Sequence, residues 1–402
     1  MAVSLQKGTA ILRQLYNSEE SRMNIAAQEL FQWAAEHQAE QLELLKTLAA
    51  IPAPSHHEEL RVAFIKDWLI KQGAEGVTVD EALNVKLPIA CEGRDDITVY
   101  MAHTDVVFPD TTPLPVREED GKLFAPGVGD DTANVVGLLM CVKYLLEKKS
   151  EAKEPVLIVL NSCEEGLGNL KGTRQLFADY EGRIKELVSF DGGYKRMCVR
   201  AVGSERWNVK TTTIGGHSFV AFGNPNSIAH LAGLITKLYQ QEIPQVEGRK
   251  TTYNVGTISG GTSVNTIAQN AEMLYEYRSD DKACLDQMRS QFMALVDEAR
   301  CEDAGFELEL VGERPCGSNV PADAHEALIG RCSDAIEVVT GNRPERRSGS
   351  TDSNIPLSKG IPAVTFGLYS GGKAHTREEY LKIDTLEVGL KIALLLLTSH
   401  FE

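Results

Sequence analysis

Hydrophobic residues along the chain fall into two alternating patterns. Short, uninterrupted apolar runs rich in β-branched residues predict strands that are buried on both faces. Longer segments with apolar residues spaced three and four apart predict helices. Four of the strand-like runs cover residues 97–101, 155–160, 187–190 and 362–366. Because helical segments separate most of these runs, the pattern predicts an α/β fold with a mixed, largely parallel sheet flanked by helices.

The order of elements changes between residues 204 and 314. There the pattern predicts a strand, a helix, two strands, a second helix and a final strand. This β-α-β-β-α-β order is that of a ferredoxin-like α+β module. Segments of the α/β type lie on both sides of it, which indicates that the module is inserted into a larger domain.

These patterns divide the chain into three parts. Residues 1–40 are predicted to form an N-terminal helical extension. Residues 41–203 and 315–402 are predicted to form one α/β domain, which the module at 204–314 interrupts. A length of 402 residues is too great for one ordinary hydrophobic core and agrees with this division.

Composition and charge exclude several classes of protein. With 43% hydrophobic and 24% charged residues, the chain is predicted to be a soluble globular protein. Its formal net charge of −16, without long Lys/Arg runs, argues against a nucleic-acid partner or an anionic membrane surface. The longest apolar run, residues 392–397, is far shorter than the roughly 20 residues that cross a bilayer.

Cysteine usage and the N-terminal sequence point to a cellular compartment. The eight cysteines are scattered and form no Cys-x-x-Cys pair, so neither a disulfide framework nor a thiolate zinc site is predicted. Residues 1–24 alternate charged and apolar residues and lack the apolar core of a secretory signal. We therefore predict a cytoplasmic protein.

Histidines and carboxylates follow the predicted strands or open a helix. Five of them are candidate metal ligands: His103, Asp130, Glu165, Asp191 and His375. Parallel strands bring their carboxyl ends to one sheet edge, so these side chains are expected to meet. Two imidazoles and three carboxylates suit two divalent ions if one carboxylate bridges them. Asp130, short and placed at a helix N-terminus, is the predicted bridge.

Two further acidic residues lie beside these ligands. The adjacent Glu164 and Glu165 divide naturally into a general base for a metal-activated water and a metal ligand. Asp105 follows His103 at a two-residue spacing, so its carboxylate can steady the imidazole or act beside it. Zinc is the predicted metal, while the oxygen-rich set also suits manganese or cobalt. Each motif alone is more often structural, and only their joint occurrence predicts a site.

These residues resemble the family of dinuclear zinc peptidases and amidohydrolases that includes peptidase T, aminoacylase and succinyl-diaminopimelate desuccinylase. The resemblance covers nearly the whole chain after about residue 41. It implies that His103 and Asp191 bind one metal, that Glu165 and His375 bind the other, and that Asp130 bridges them. It also implies that the inserted module is a lid through which two chains form a homodimer.

The resemblance implies further roles for single residues. Asp105 is similar to the family's catalytic aspartate, and Glu164 to its general base. His217 in Gly215-Gly-His-Ser resembles a histidine that helps hold the substrate carbonyl oxygen, often in the partner subunit's site. Arg278 resembles the arginine that binds a substrate carboxylate, and Asn265 is a weaker substrate-binding candidate.

Two positions modify the expected activity. Thr132 stands where the family commonly has lysine, which removes a positive charge near the metals. Asp191 stands where the acylase and desuccinylase branches tend to have glutamate, which favours the peptidase T and dipeptidase side.

Three functional hypotheses follow. The first is a cytosolic dinuclear metallopeptidase acting as an aminopeptidase on di- or tripeptides. The second is an N-acyl-amino-acid amidohydrolase on the same scaffold. The third is a catalytically silent binding protein, although every expected ligand and the base are present. A serine hydrolase is disfavoured because the sequence contains no Gly-x-Ser-x-Gly motif.

Overall fold

The structure is a computed structural model that describes residues 27–402. The predicted absence of a secretory signal, and most of the predicted extension at 1–40, lie outside these residues. The described chain begins with helical backbone over 27–36. It continues into helix α1 (Gln38–Ala50) and, after a turn, helix α2 (Glu59–Lys71).

An eight-stranded sheet forms the centre of the larger domain. Its strands are β1 (Thr78–Val79), β2 (Val85–Ile89), β3 (Ile97–His103), β6 (Val156–Asn161), β7 (Ile184–Ser189), β8 (Arg196–Ala201), β15 (Glu345–Gly349) and β16 (Ala363–Thr365). Their order is β1-β2-β6-β3-β7-β16-β8-β15. β3 pairs in parallel with both β6 and β7, and β7 pairs in parallel with β16. The pairs β1-β2, β2-β6 and β16-β8 are antiparallel, so the sheet is mixed, as predicted.

Helices cover both faces of this sheet. They are α1, α2, α3 (Asn134–Lys148), α4 (Lys171–Asp179), α7 (Ala322–Thr340), α8 (Asn354–Ser358) and α9 (Asp384–Thr398). Every residue of β3 is buried, and alternate residues enter different cores. Tyr100 and Ala102 pack among residues of α1, α2, α3, α7 and α9. Val99 and Met101 pack among residues of α4 and α8 on the other face. The uninterrupted apolar run of β3 thus reflects a strand covered on both sides.

A second, four-stranded sheet lies between residues 203 and 314. Its elements are β9 (Gly203–Thr212), α5 (Ser227–Gln240), β11 (Thr251–Gly260), β13 (Asn270–Ser279), α6 (Lys282–Ala299) and β14 (Gly305–Arg314). The strands are antiparallel in the order β11-β13-β9-β14, which is the ferredoxin-like arrangement. Apolar residues of α5 and α6 pack against one face of this sheet. We refer to residues 203–314 as the lid.

Short strands hold the loops that carry two histidines. A small antiparallel sheet consists of β4 (Arg117–Glu119), β5 (Lys122–Phe124), β17 (Gly371–Gly372) and β18 (Tyr380–Lys382). His375 lies between β17 and β18. Strands β10 (Gly216–His217) and β12 (Thr266–Ile267) form a ribbon in the lid that ends at His217. Within residues 27–402, no helix is long and apolar enough to cross a membrane.

Candidate metal centre

Three neighbouring parallel strands deliver polar residues to one edge of the main sheet. His103 is the last residue of β3. Glu164 and Glu165 follow the end of β6, and Asp191 follows the end of β7. Asp130 arrives from a turn at Val128–Ala133 that leads into α3. The convergence predicted from the strand ends is therefore present in the structure.

Asp130 stands between the two histidines. Its Oδ1 lies 3.1 Å from His103 Nε2, and its Oδ2 lies 3.0 Å from His375 Nε2. His375 Nε2 also lies 3.1 Å from Glu165 Oε1. Potential ligand atoms of Asp130, Glu165 and His375 lie within 4.8 Å of one another, so these residues could hold one metal ion. A carboxylate with one oxygen directed at each imidazole has the arrangement of a bridging ligand.

A second group of potential ligand atoms shares Asp130. Ligand atoms of His103, Asp130, Asp131 and Asp191 also lie within 4.8 Å of one another. Asp131 was not predicted as a ligand. Its side chain is buried and accepts hydrogen bonds from the His103 backbone N–H, at 2.9 Å, and from the Asn134 side-chain amide.

Asp105 lies behind His103. Its Oδ1 is 3.3 Å from His103 Nδ1, on the side of the ring opposite Asp130. The same carboxylate accepts hydrogen bonds from the backbone N–H groups of Glu164 and Glu165, at 3.0 and 2.9 Å, and from Ser55 Oγ. A carboxylate on one imidazole nitrogen fixes the ring and leaves the other nitrogen for a cation. Asp105 can therefore orient His103 and also hold the segment that carries both glutamates.

Glu164 is paired with an arginine of the lid. Its Oε1 accepts a hydrogen bond of 2.9 Å from Arg314 Nη1, and both side chains are buried. Burial raises the pKa of Glu164 well above its usual value, although the Arg314 charge opposes the shift. Sequence reasoning did not single out Arg314.

The charges of the site favour a bound cation. Burial, together with the Asp130 charge, raises the pKa of Asp191 to about 7. Burial alone would lower the pKa of His103, but the Asp131, Asp105 and Asp130 carboxylates raise it well above its usual value. Crowded buried carboxylates are costly unless positive charge compensates them, and divalent cations supply that charge. The nitrogen and oxygen donors also match those that zinc accepts, so the residues fit a metal.

Glu379 supports the turn that carries Asp130. Its carboxylate is 2% exposed and accepts three backbone hydrogen bonds. Oε1 accepts from Gly129 and Asp130, each at 2.8 Å, and Oε2 accepts from Gly127 at 3.0 Å. Sequence reasoning missed Glu379 because it is the second of two adjacent glutamates after His375. The other, Glu378, has a mostly exposed side chain.

Arg61 brings a buried positive charge to Thr132. Its guanidinium donates to Thr132 Oγ1 at 3.1 Å and to the backbone oxygen of Thr104 at 2.9 Å. Burial lowers the pKa of Arg61 to about 10, while the charges of Asp105 and Asp131 act in the opposite direction. Arg61 lies on α2 among apolar residues, and the sequence analysis did not single it out. Although Thr132 stands in place of a lysine, Arg61 therefore supplies a positive charge to this region.

The predicted substrate-binding residues lie in two places. A cavity of about 490 Å³ opens beside the ligands, and Arg278 lines it together with Arg206 and Arg314. His217 and Asn265 are both exposed; His217 ends β10 and Asn265 directly precedes β12, and the Ser218 N–H donates to the Asn265 backbone oxygen. Neither is among the residues that line the cavity. The described chain thus brings Arg278, but not His217 or Asn265, to its own cavity.

An α/β domain with a ferredoxin-like lid and a carboxylate-histidine cluster at its sheet edge is the arrangement expected of a metal-dependent hydrolase. Residues 99–399 match the model of peptidase family M20/M25/M40, and the chain belongs to that family. The resemblance inferred from the sequence is thereby confirmed, as is the fold class.

Proteins similar to this chain include both peptidases and deacylases. Acetylornithine deacetylase from Myxococcus xanthus is 25% identical over 315 residues, which cover 75% of this chain and 79% of that protein. Succinyl-diaminopimelate desuccinylase from Corynebacterium glutamicum is 23% identical over 349 residues, covering 85% and 92%. The crystal structure of aminopeptidase PepT from Bacillus cereus has a TM-score of 0.70 at 19% identity, covering 89% and 97%. A dinuclear metal-binding M20 peptidase from Bacillus subtilis has a TM-score of 0.60 at 16% identity, covering 91% and 99%.

Proposed function

We propose that this protein is a dinuclear metallopeptidase that hydrolyses short peptides, acting as an aminopeptidase on di- or tripeptides. The observation that carries the proposal is the position of Asp130, with one oxygen facing His103 and the other facing His375. In this proposal His103 and Asp191 hold one ion, Glu165 and His375 hold the other, and Asp130 bridges them. The ions are zinc, with manganese or cobalt as substitutes that the same donors accept.

The chain's own residues then have distinct tasks. When bound, the two ions would polarise the scissile carbonyl and lower the pKa of water. Glu164 takes a proton from the attacking water and delivers it to the leaving amine. Asp105 keeps His103 in one orientation, and Arg278 binds a substrate carboxylate. Burial raises the pKa of Glu164, which makes its carboxylate a stronger base toward the attacking water.

An N-acyl-amino-acid amidohydrolase is the second candidate. It is supported by the named activities of the two sequence relatives, a deacetylase and a desuccinylase. The metal-loaded protein should be assayed with di- and tripeptides and with N-acetyl and N-succinyl amino acids under the same conditions. Faster hydrolysis of peptides supports the first proposal, whereas faster hydrolysis of acyl amino acids supports the second. Metal analysis of folded, saturated protein should give two ions per chain, and one ion or none would contradict the dinuclear site.

We also propose that the protein is a homodimer formed through the lid and that it acts in the cytoplasm. Large apolar side chains are exposed around the ribbon that carries His217, namely Ile214, Phe219, Val220, Phe222 and Val264. A patch of this kind commonly marks a protein interface. In such a dimer we propose that His217 acts in the partner subunit's site, as the family resemblance implies. The cytoplasmic location rests on the cysteine pattern, and all eight cysteines, which lie within the described residues, are free.

Subunit mixing tests the contribution of His217 across the dimer. His217→Ala and Glu164→Ala chains should each be inactive, and a mixture should regain part of the activity in heterodimers. Light scattering at micromolar concentration should give the mass of two chains. A monomer would contradict the dimer, and no recovery after confirmed subunit exchange would leave His217 with either a role in its own chain's site or a structural role.

A further inference from the structure

An apolar cavity lies beside the metal cavity. It has a volume of about 260 Å³, and its walls are formed mainly by apolar groups that include Leu167, Leu274 and Val311. Arg206 lines both cavities, so the two adjoin at this side chain. Leu167 belongs to the larger domain, whereas the other three residues belong to the lid. The apolar cavity is therefore built from both parts of the chain.

Hydrogen bonds between the two parts define the position of Leu167. Arg206 Nη1 donates to the backbone oxygen of Gly166 at 2.8 Å. Nearby, the Glu313 backbone N–H donates to Asn169 Oδ1 at 2.9 Å. These contacts hold the segment that carries Leu167 against β14. Leu167 is nevertheless 62% exposed and Leu274 is 43% exposed, so apolar surface remains available for a ligand.

The junction of the two cavities carries excess positive charge. Glu276 accepts two hydrogen bonds of 3.1 Å from Arg278 and one of 3.4 Å from Arg206. One carboxylate thus faces two guanidinium groups, and Arg314, which lines the same metal cavity, is already paired with Glu164. A carboxylate is the anion that guanidinium groups bind in bidentate fashion. A ligand held here would have an anionic group at the arginines and an apolar group in the adjoining cavity.

We propose that the apolar cavity is a specificity subsite for the substrate residue whose free carboxylate binds at Arg206 and Arg278. The preferred substrates are then dipeptides or N-acyl amino acids that end in a large apolar residue such as leucine or phenylalanine. The inference rests on the proposed function, and it holds for its peptidase form and its amidohydrolase form alike. Leu167 and Leu274 are the residues that determine this preference.

Matched substrate pairs test the subsite. Glycyl-leucine should be hydrolysed with a kcat/KM at least about tenfold higher than glycyl-aspartate, and N-acetyl-leucine should exceed N-acetyl-aspartate similarly. Leu167→Gln and Leu274→Gln should each lower the leucine-to-aspartate ratio by about threefold to tenfold, mainly through KM for the leucine substrate. Leu60→Gln is the matched control, because Leu60 lies on α2 and is likewise 62% exposed. Its ratio should equal that of the unaltered protein.

The outcomes separate the subsite from the proposed function. The subsite would be overturned if the leucine and aspartate substrates had equal kcat/KM values in both pairs. It would also be overturned if neither Leu167→Gln nor Leu274→Gln changed the leucine-to-aspartate ratio. No hydrolysis of any of the four substrates would count against the proposed function instead. In that case, calorimetry of free leucine and free aspartate with the metal-loaded protein decides the matter. Tighter binding of leucine that Leu274→Gln abolishes supports the subsite, and equal binding of the two amino acids overturns it.

Discussion

Replacing Glu379 with glutamine should weaken metal binding although Glu379 is not itself a proposed ligand. Its carboxylate holds three backbone N–H groups of the turn that ends in Asp130. In Glu379→Gln, the remaining carbonyl oxygen can still accept from Gly129 and Asp130. The new amide group, however, would face the Gly127 N–H, which needs an acceptor. Two buried donors would then oppose each other at a distance of about 3 Å.

The size of the effect follows from these bonds. Burial raises the pKa of Glu379 to about 7, so both its neutral and its charged form accept these bonds near neutral pH. A hydrogen bond contributes about 0.5–1.5 kcal/mol with a neutral acceptor and about 1.5–3 kcal/mol with a charged one, and a buried donor without an acceptor costs about 1–3 kcal/mol. Loss of an outer-shell partner of a metal ligand typically lowers metal affinity by about 10–100-fold. Because tenfold corresponds to about 1.4 kcal/mol, the two values agree. We therefore expect Glu379→Gln to raise the metal Kd by about 10–100-fold.

Competition with a chromophoric chelator measures the Kd for each ion, and circular dichroism of the metal-free protein checks the fold. Glu378→Gln is the matched control, because its side chain is 64% exposed and lies 3.8 Å from Arg117. Exposed pairs of this kind contribute little, so this variant should bind metal normally. A Kd within about twofold of the unaltered protein for Glu379→Gln would refute the reasoning. A lower Tm with an unchanged Kd would assign Glu379 to stability alone.

Three other predictions concern the same site. Glu164→Gln should lower the rate of hydrolysis by at least about 10² while two metals remain bound, whereas Glu165→Gln should lose metal as well as rate. Kinetics and metal analysis of both variants check this. Loss of metal in Glu164→Gln but not in Glu165→Gln would mean that the roles of base and ligand are reversed. Arg61→Ala should lower the free energy of unfolding by about 3–5 kcal/mol, as measured by urea unfolding. Adding Thr132→Lys should recover part of this loss, because the lysine would replace the charge of Arg61. If the effects of the two substitutions on the free energy of unfolding are simply additive, the lysine does not replace the arginine. Removing the metals with a chelator should lower Tm in differential scanning calorimetry, because the buried carboxylates would lose their counter-charge; an unchanged Tm would argue against tight binding.

Residues at strand ends were the part of the site that the sequence could predict. One apolar run ends at His103 and another precedes Glu165, and each run predicted a strand. Because the two strands pair in parallel, their carboxyl ends lie at the same edge of the sheet. Distances confirm that His103, Asp130, Glu165 and His375 meet. Their roles as ligands stay predictions.

Supporting residues could not be predicted because they act from distant parts of the chain. Glu379 reaches Gly127 across 252 positions, and Arg314 reaches Glu164 across 150. No local pattern distinguishes Glu379 from the exposed Glu378 beside it. Leu167 follows the loop glycine Gly166, and the apolar residues around it, Leu274 and Val311, belong to the lid, which is distant in sequence. Long-range tertiary contacts, rather than local pattern, determine the function of such residues.

The position of Arg61 changes the interpretation of Thr132. On sequence alone, the absence of lysine at this position indicated a lost positive charge near the metals. In the structure, Arg61 lies fully buried and donates to the Thr132 hydroxyl, with Asp105 and Asp131 close enough to influence its pKa. A lysine at position 132 would place a second cation against this guanidinium, at a cost that burial makes large. Threonine suits the position beside Arg61, since its short hydroxyl accepts the hydrogen bond and adds no charge.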